Sequence, residues 1–131
     1  MTHIEVVCAL IERDGKVLVA KRAAGGPTGG KWEFPGGKIK AGETSEQAVC
    51  REIVEELGCT IEPIRQLGAN NHAYPEFTIT LQPILCRIIR GEPVAIEHAL
   101  IKWVSGDQME SLDWADADVP IAKSYRLSSD K

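Results

Sequence analysis

The chain has 131 residues, of which 26% are charged, and a formal net charge of −4. The length suits one domain over residues 1–131, and no apolar run reaches the roughly 20 residues that a membrane span requires. The net negative charge argues against polymeric nucleic acid as a partner, since its phosphates demand a concentrated basic surface, but it permits a small nucleotide.

The first third of the chain is predicted to form strands joined by tight turns. Its N-terminus lacks the basic segment and long apolar stretch of a signal peptide, so we expect a cytoplasmic protein. A β-branched strand over 4–12 meets the turn residues Asp14 and Gly15, and a second strand over 16–21 completes a hairpin. A Gly-rich loop over 25–30 and a short strand over 32–34, closed by residues 35–37, follow.

A helix is predicted to begin after Thr44 and to end at Gly58. Thr44 and Gln47 have the spacing of a capping box, and Gly58 is a typical stop signal. Strands are predicted over 60–67, 77–90 and 99–104, a short helix over 106–110, and a last helix over 119–127 with Asp118 as its N-cap. These elements predict an α/β (α+β) fold, a mixed sheet with one central and one terminal helix.

The four cysteines form no C-x-x-C pair, which argues against a zinc or dithiol redox site, and disulfides are not expected in a reducing cytosol. Cys8 and Cys86 lie in apolar strand-like runs, where a cysteine packs as a small hydrophobic residue.

The central helix concentrates negative charge on one face. At 3.6 residues per turn, Glu52, Glu55 and Glu56 share one side of the helix. The opposite side is predicted to be a buried apolar stripe of Val49, Cys50, Ile53, Val54 and Leu57. Like charges at these spacings destabilise a helix by roughly 0.2–0.5 kcal/mol per pair, and Arg51 relieves only part of this. From the helix alone, a simply solvated acidic face explains the pattern equally well.

The loop before this helix favours a metal site. Gly36 and Gly37 allow the backbone to approach a ligand closely, and their carbonyl oxygens are hard ligands. Glu43 adds a fourth acid just before the helix. Because all of these ligands are oxygens, they favour Mg²⁺, with Mn²⁺ possible as a substitute. Residues 36–59 are therefore the predicted catalytic element.

This element resembles the Nudix box, the signature of the Nudix hydrolases. The box would span residues 37–59, and eight placed positions fit it without insertion: Gly37, Glu43, Arg51, Glu52, Ile53, Glu55, Glu56 and Gly58. Cys59 departs from the bulky aliphatic residue of the pattern but is apolar enough to pack there. The flanking segments 4–7, 11–16, 32–37 and 117–121 resemble the MutT-like branch, including its CTP pyrophosphohydrolase relatives.

The resemblance implies the Nudix fold, a mixed β-sheet sandwiched between helices with a loop–helix–loop catalytic motif. It implies hydrolysis of a nucleoside triphosphate to the monophosphate and pyrophosphate by a metal-activated water, as in sanitation of the nucleotide pool and DNA repair. An oxidised purine such as 8-oxo-dGTP and a cytidine nucleotide such as CTP both remain open as substrates, as do a monomer and a homodimer. Within the family, a hydrolase of nucleotide sugars or dinucleoside polyphosphates is the alternative. A non-catalytic sensor module is disfavoured because all three box acids are present.

The resemblance also implies a role for individual side chains in catalysis. The metal ligands would be the backbone at Gly36 or Gly37, the carboxylates of Glu52, Glu55 and Glu56, and one further carboxylate beyond the box. Glu97 is preferred for this last position, with Glu92 as the alternative. Arg51 would orient a box glutamate through a salt bridge, and Glu43 would be structural.

Four residues outside these acids are predicted to bind the substrate. Arg22 and Lys38 are candidates for the phosphates, with a solvated cation as the alternative for each. Phe34 could stack on the base, although an apolar strand residue is more often part of the core. Asp118 resembles the polar residue that reads the base in MutT-like enzymes. His3, His72 and His98 have no metal-ligand spacing and stay unassigned.

Overall fold

The computed structural model describes residues 2–26 and 28–129, with side chains as far as Tyr125. Pro27 of the Gly-rich loop and the side chain of Leu127, at the predicted end of the last helix, therefore lie outside the described set. The strands are β1 (Thr2–Arg13), β2 (Lys16–Lys21), β3 (Trp32–Glu33), β4 (Gly36–Lys38), β5 (Thr60–Gln66), β6 (Asn70–Ala73), β7 (Phe77–Arg90) and β8 (Leu100–Val104). The helices are α1 (Ser45–Leu57), α2 (Gly106–Met109), a 3₁₀ helix (Asp116–Asp118) and α3 (Val119–Ser129). Within this part of the chain, no helix is both long and apolar enough to cross a membrane.

Strand β1 is the centre of a mixed sheet. It runs parallel to β7 over ten residue pairs, from Thr2 with Phe77 to Ile11 with Cys86, and antiparallel to β2 and β4. The strand order is β3-β2-β1-β7-β5, with β4 also paired to β1, β6 to β7 and β8 to β2. The predicted mixed sheet is confirmed.

The sheet is buried on both faces because alternate residues of β1 face two different cores. Val7, Ala9 and Ile11 pack with the apolar side of α1, including Ile53 and Leu57. Cys8 and Leu10 face the other core, which includes Trp114, Ile121 and Ala122 near the end of the chain. The sheet is therefore sandwiched between α1 and α3, which confirms the predicted architecture.

Local signals define both ends of α1. The Thr44 Oγ1 accepts a hydrogen bond from the Gln47 N–H at 3.1 Å, and the Gln47 Oε1 accepts one from the Thr44 N–H at 2.9 Å. Gly58 ends the helix with φ 70°, and its N–H donates to the Val54 carbonyl. The predicted capping box and stop are confirmed.

The predicted split of α1 into a buried and an acidic face is partly wrong. Val54 is 52% exposed although it was placed in the buried stripe, whereas Glu56 is only 6% exposed. The reason is that α1 is covered on more than one side: the backbone N–H groups of Val94 and Ile96 donate to the carbonyls of Leu57 and Glu56. The segment after β7 thereby encloses Glu56.

Two short strands form where the sequence predicts none. Residues 36–38 form β4 because glycine lets the backbone come close to β1: a Cβ on Gly36 would overlap the Val7 carbonyl oxygen and lie 2.7 Å from the Cys8 Cα. Residues 70–73, which have low strand propensity, form β6 through their pairing with β7.

The prediction that Asp118 caps α3 is wrong. Asp118 is itself the last residue of the 3₁₀ helix that continues into α3, whereas an N-cap residue has extended backbone. Its Oδ2 instead accepts a hydrogen bond from the Phe34 N–H at 2.9 Å. The carboxyl group therefore ties the start of α3 to the end of β3.

All four cysteines carry free thiols, and Cys8, Cys59 and Cys86 are buried. Burial raises the pKa of each thiol, that of Cys86 to about 12. For Cys8 the neighbouring carboxyls of Asp118 and Glu33 raise the pKa further. The interpretation of Cys8 and Cys86 as small apolar core residues is confirmed.

Candidate active site

The pairing of β4 with β1 places Gly37 directly against the first turns of α1. A Cβ on Gly37 would lie only 2.5 Å from the Glu52 Cδ and 2.7 Å from its Oε1. The Glu52 carboxyl group therefore occupies the space that any side chain at position 37 would need. The absence of a side chain at Gly37 therefore lets the main chain of β4 lie directly against the Glu52 carboxyl group.

Arg51 joins the loop before α1 to the helix itself. Its guanidinium donates to both Glu43 oxygens, at 2.6 and 3.0 Å, to Glu52 Oε1 at 2.8 Å and to the Lys38 carbonyl at 3.0 Å. These hydrogen bonds lower the pKa of Glu43 to about 2 and raise that of Arg51. The predicted contact with Glu55 is also present but is longer, at 3.3 Å. The strongest partners of Arg51 are therefore Glu43 and Glu52.

A second group of carboxyls surrounds Glu56. The exposed fraction of its side chain is 8%, and one of its oxygens, Oε1, has no hydrogen-bond partner. The His98 Nε2 lies 2.8 Å from Glu33 Oε2 and 3.7 Å from Glu56 Oε1. The pKa of Glu56 is raised first by burial, then by its hydrogen bond with Glu52 and the charges of Glu52, Glu33 and Glu97. This crowding of acids favours either a shared proton or a bound cation.

The donor set around Glu52 and Glu56 fits a hard divalent cation. Both side chains offer carboxylate oxygens, Glu56 Oε1 is buried without a partner, and Gly37 leaves room for the Glu52 carboxyl group against the main chain. In the described part of the chain, no three acidic, histidine or cysteine side chains form a preorganised cation site. A hard ion often keeps several waters and also binds substrate phosphates, so a partial protein shell is compatible with it.

The structure does not bring all predicted metal ligands to one point. The side chain of Glu55 is 48% exposed and faces Arg51. Glu97 is exposed, yet its charge acts on Glu56, which places it at the edge of the same group. Glu92 is 76% exposed at its side chain and pairs with Arg13 at 2.9 Å. Glu97 therefore stays the predicted carboxylate beyond the box, with Glu92 as the alternative.

A cleft of about 770 Å³ begins beside these acids. Its walls contain all four predicted substrate residues, Arg22, Phe34, Lys38 and Asp118, together with Gly36 and Gly37. Arg22 is 47% exposed at its side chain and donates to Glu33 Oε1 at 3.1 Å. The lining of the cleft thus combines cations and carboxylates with apolar strand residues such as Ile79 and Leu81.

The aromatic residues of the cleft differ in their exposure. Phe34 is 2% exposed and packs on Trp114 with ring centroids 4.9 Å apart, as expected for a core residue. Tyr74 and Phe77 are partly exposed, and their rings stack with centroids 4.9 Å apart. Both line the cleft, so accessible aromatic surface comes from this pair.

Asp118 lies in the wall of the cleft and is 6% exposed. Burial raises its pKa to about 8, against the opposing effect of the Phe34 N–H hydrogen bond. Near neutral pH its carboxyl group is therefore able to exist protonated, in which state it donates as well as accepts hydrogen bonds. Such a group can distinguish the polar edges of different bases.

Two residues of this site, Glu33 and His98, were not predicted from the sequence. Glu33 lies in a two-residue strand, where an acid is usually solvated. His98 has no other histidine, cysteine or acid at a spacing typical of metal ligands. Both are brought to Glu56 by tertiary contacts, because β3 pairs with β2 and the Ala99 N–H donates to the Lys21 carbonyl. Only their neighbours gave a signal in the sequence: Glu33 lies within the predicted strand over 32–34, and His98 follows Glu97, the preferred carboxylate beyond the box.

The chain is similar in sequence and in fold to several known proteins. A family model described as NUDIX domain matches residues 6–124. The chain is 35% identical over 125 residues to the CTP pyrophosphohydrolase of Escherichia coli strain K12, covering 95% of this chain and 93% of that protein. It is also 35% identical over 129 residues to the 8-oxo-dGTP diphosphatase of the same strain, covering 97% and 100%. The solution structure of the E. coli ORF135 protein superposes with a TM-score of 0.85 at 34% identity, covering 97% of this chain and 91% of that one.

Proposed function

The chain belongs to the Nudix hydrolase family, and on this premise we propose that it is a Mg²⁺-dependent nucleoside triphosphate pyrophosphohydrolase. The observation that carries the proposal is that the cleft wall includes Gly37, which lies against the Glu52 carboxyl group, and Glu33, which contacts the same His98 nitrogen as Glu56. A triphosphate placed along it has its phosphates beside Arg22, Lys38 and Glu52, and its base beside Asp118.

The reaction breaks one phosphoanhydride bond between the α- and β-phosphates. A water oxygen bonds to one of these phosphorus atoms, the bridging oxygen leaves with the other, and the water releases a proton. When bound, Mg²⁺ activates the water and stabilises the negative charge of the transferring phosphoryl group. Glu52, Glu56 and the backbone of Gly37 would hold it, with Glu97 as the further carboxylate.

The side chains of this protein supply positioning and proton handling. Arg51 fixes the Glu52 carboxylate through a hydrogen bond of 2.8 Å. Burial and the neighbouring carboxyl group of Glu52 raise the pKa of Glu56, so Glu56 holds a proton more readily than a solvated carboxylate does. Arg22 is the cation nearest to Glu33 at the cleft and would neutralise phosphate charge.

Two relatives at the same 35% identity carry different substrate names, CTP and 8-oxo-dGTP, so the base must be tested directly. The assay measures monophosphate and pyrophosphate by anion-exchange chromatography with Mg²⁺ and CTP, dCTP, dGTP or 8-oxo-dGTP. UDP-glucose and diadenosine tetraphosphate serve as the competing diphosphate classes. Running the reaction in ¹⁸O-labelled water shows whether the monophosphate or the pyrophosphate receives the oxygen.

We expect turnover of at least one triphosphate, with ¹⁸O in only one product. The Glu56→Gln variant serves as the control for contaminating hydrolases, and Glu62→Gln, on the exposed part of β5, is its matched control. Turnover of UDP-glucose or diadenosine tetraphosphate without any triphosphate hydrolysis would overturn the proposed substrate class. Equal rates in wild type and Glu56→Gln would overturn the proposed site.

A further inference from the structure

His98 is the only histidine of the described chain that contacts the carboxyl group of Glu33 or Glu56. The exposed fraction of its side chain is 7%, compared with 16% for Glu33 and 8% for Glu56. Its Nε2 lies 2.8 Å from Glu33 Oε2 and 3.7 Å from Glu56 Oε1, and its Nδ1 is buried without a partner. The ring therefore makes its polar contacts through one nitrogen.

The contact with Glu33 indicates that the Nε2 atom of His98 carries a proton. An ionised carboxylate oxygen only accepts hydrogen bonds, so the 2.8 Å contact with Glu33 requires His98 to donate from Nε2. The second oxygen of Glu33 accepts from Arg22 at 3.1 Å. Glu33 is thus held from both sides, by Arg22 at the cleft and by His98 behind it.

The main chain on either side of His98 is fixed by hydrogen bonds. The Ile96 N–H donates to the Glu56 carbonyl at 3.1 Å, and the Ala99 N–H donates to the Lys21 carbonyl at 2.9 Å. These hydrogen bonds attach the segment before β8 to the end of α1 and the end of β2. Because its main chain is held in this way, the His98 imidazole sets the distance between the Glu33 and Glu56 carboxyl groups.

We infer that His98 is a positioning residue, whose Nε2–H holds Glu33 beside Glu56 and keeps Glu56 Oε1 turned into the site. The inference rests on the proposed function, because the role of Glu56 as a ligand gives this orientation its purpose. Outer groups that orient metal-binding carboxylates commonly change metal affinity by about 10- to 100-fold when removed. His98 would act through Glu33 and Glu56 without touching the substrate.

The test compares three substitutions at His98. The side-chain amide of Gln can place an N–H near the position of Nε2, whereas that of Asn reaches only the position of Nδ1, and Ala has no donor. Mn²⁺ affinity is measured by electron paramagnetic resonance without nucleotide, alongside kcat, KM and the thermal midpoint. The exposed His3, replaced by Gln, is the matched control.

We expect His98→Gln to keep Mn²⁺ affinity within about threefold of wild type, and His98→Asn and His98→Ala to weaken it about tenfold or more. The corresponding loss should fall on kcat more than on KM, and His3→Gln should match wild type. Unchanged Mn²⁺ affinity in His98→Ala would overturn the inference. So would a His98→Gln variant as weak as His98→Ala, since the ring would then act by packing alone.

A measurement on the wild-type protein covers the case in which the variants do not fold. Long-range ¹H–¹⁵N correlation spectra of ¹⁵N-histidine-labelled protein report which ring nitrogen of His98 carries the proton. A protonated Nε2 is expected, and a bare Nε2 with a protonated Nδ1 would overturn the inference. If wild type binds Mn²⁺ and shows this pattern but hydrolyses no triphosphate, the proposed substrate class fails while the positioning role of His98 stands.

Discussion

The buried carboxyl group of Asp118 makes the stability of the protein depend on pH, and one substitution should remove that dependence. In Asp118→Asn the side chain keeps nearly the same size. Its amide oxygen can accept the hydrogen bond that the Phe34 N–H now donates to Oδ2 at 2.9 Å. The change therefore removes the titration while preserving shape and the tie between β3 and α3.

The expected magnitude follows from the shifted pKa. An unperturbed Asp titrates near 3.8, whereas burial raises the pKa of Asp118 to about 8. Between these values the folded state holds a proton that the unfolded state has released, so stability falls as pH rises from about 4 to about 8 and falls no further above that. From pH 6 to pH 8 the free energy of unfolding should drop by about 2 kcal/mol from this group alone.

The assay is urea unfolding of wild type and Asp118→Asn at pH 6 and pH 8, with chelator present to remove metal. Because Glu56 also has a raised pKa and is common to both proteins, its contribution cancels in the difference between them. Asp118→Asn should lose about 2 kcal/mol less than wild type over this range. Asp116→Asn, in the same 3₁₀ helix but exposed, should behave like wild type. Equal losses in wild type and Asp118→Asn would refute the reasoning.

Four further substitutions test the acids and the backbone of the site. Glu56→Gln should lower kcat by about 100-fold or more while circular dichroism shows an intact fold, because it removes a carboxylate oxygen but little volume; near-normal turnover would contradict its role. Gly37→Ala should lower kcat at least about tenfold, since its Cβ needs the space of the Glu52 carboxyl group; unchanged pyrophosphate release would show that the loop can move away freely. Glu97→Gln should weaken Mn²⁺ binding about tenfold, whereas Glu92→Gln should not, because Glu92 pairs with Arg13 away from the site. If a metal titration showed weaker binding in Glu92→Gln than in Glu97→Gln, the roles of the two acids would be exchanged.

The catalytic helix was predictable because its signals are local. Thr44, Gln47 and Gly58 define the ends of α1 through contacts within a few residues, and the same short range fixes Arg51 beside Glu52. What failed was the prediction of burial. The burial of Glu56 depends on the segment after β7, whose approach to α1 cannot be predicted from helical periodicity.

Glu33 and His98 could not be assigned from the sequence for the same physical reason. They are 65 residues apart in the chain, and their 2.8 Å contact exists only after β2 has paired with both β3 and β8. The capping prediction for Asp118 failed similarly, since its partner, Phe34, is 84 residues away. In a sequence, polar residues whose contact partners lie this far away along the chain look like ordinary surface residues or helix caps.

The buried thiols described above affect how the protein tolerates oxidants. Oxidation of cysteine proceeds through the thiolate, and burial disfavours that form in Cys8, Cys59 and Cys86. Cys8 belongs to the wall of the cleft but is only 1% exposed, so peroxides have little access to its sulfur. We therefore expect these three thiols to react slowly with oxidants in the folded protein.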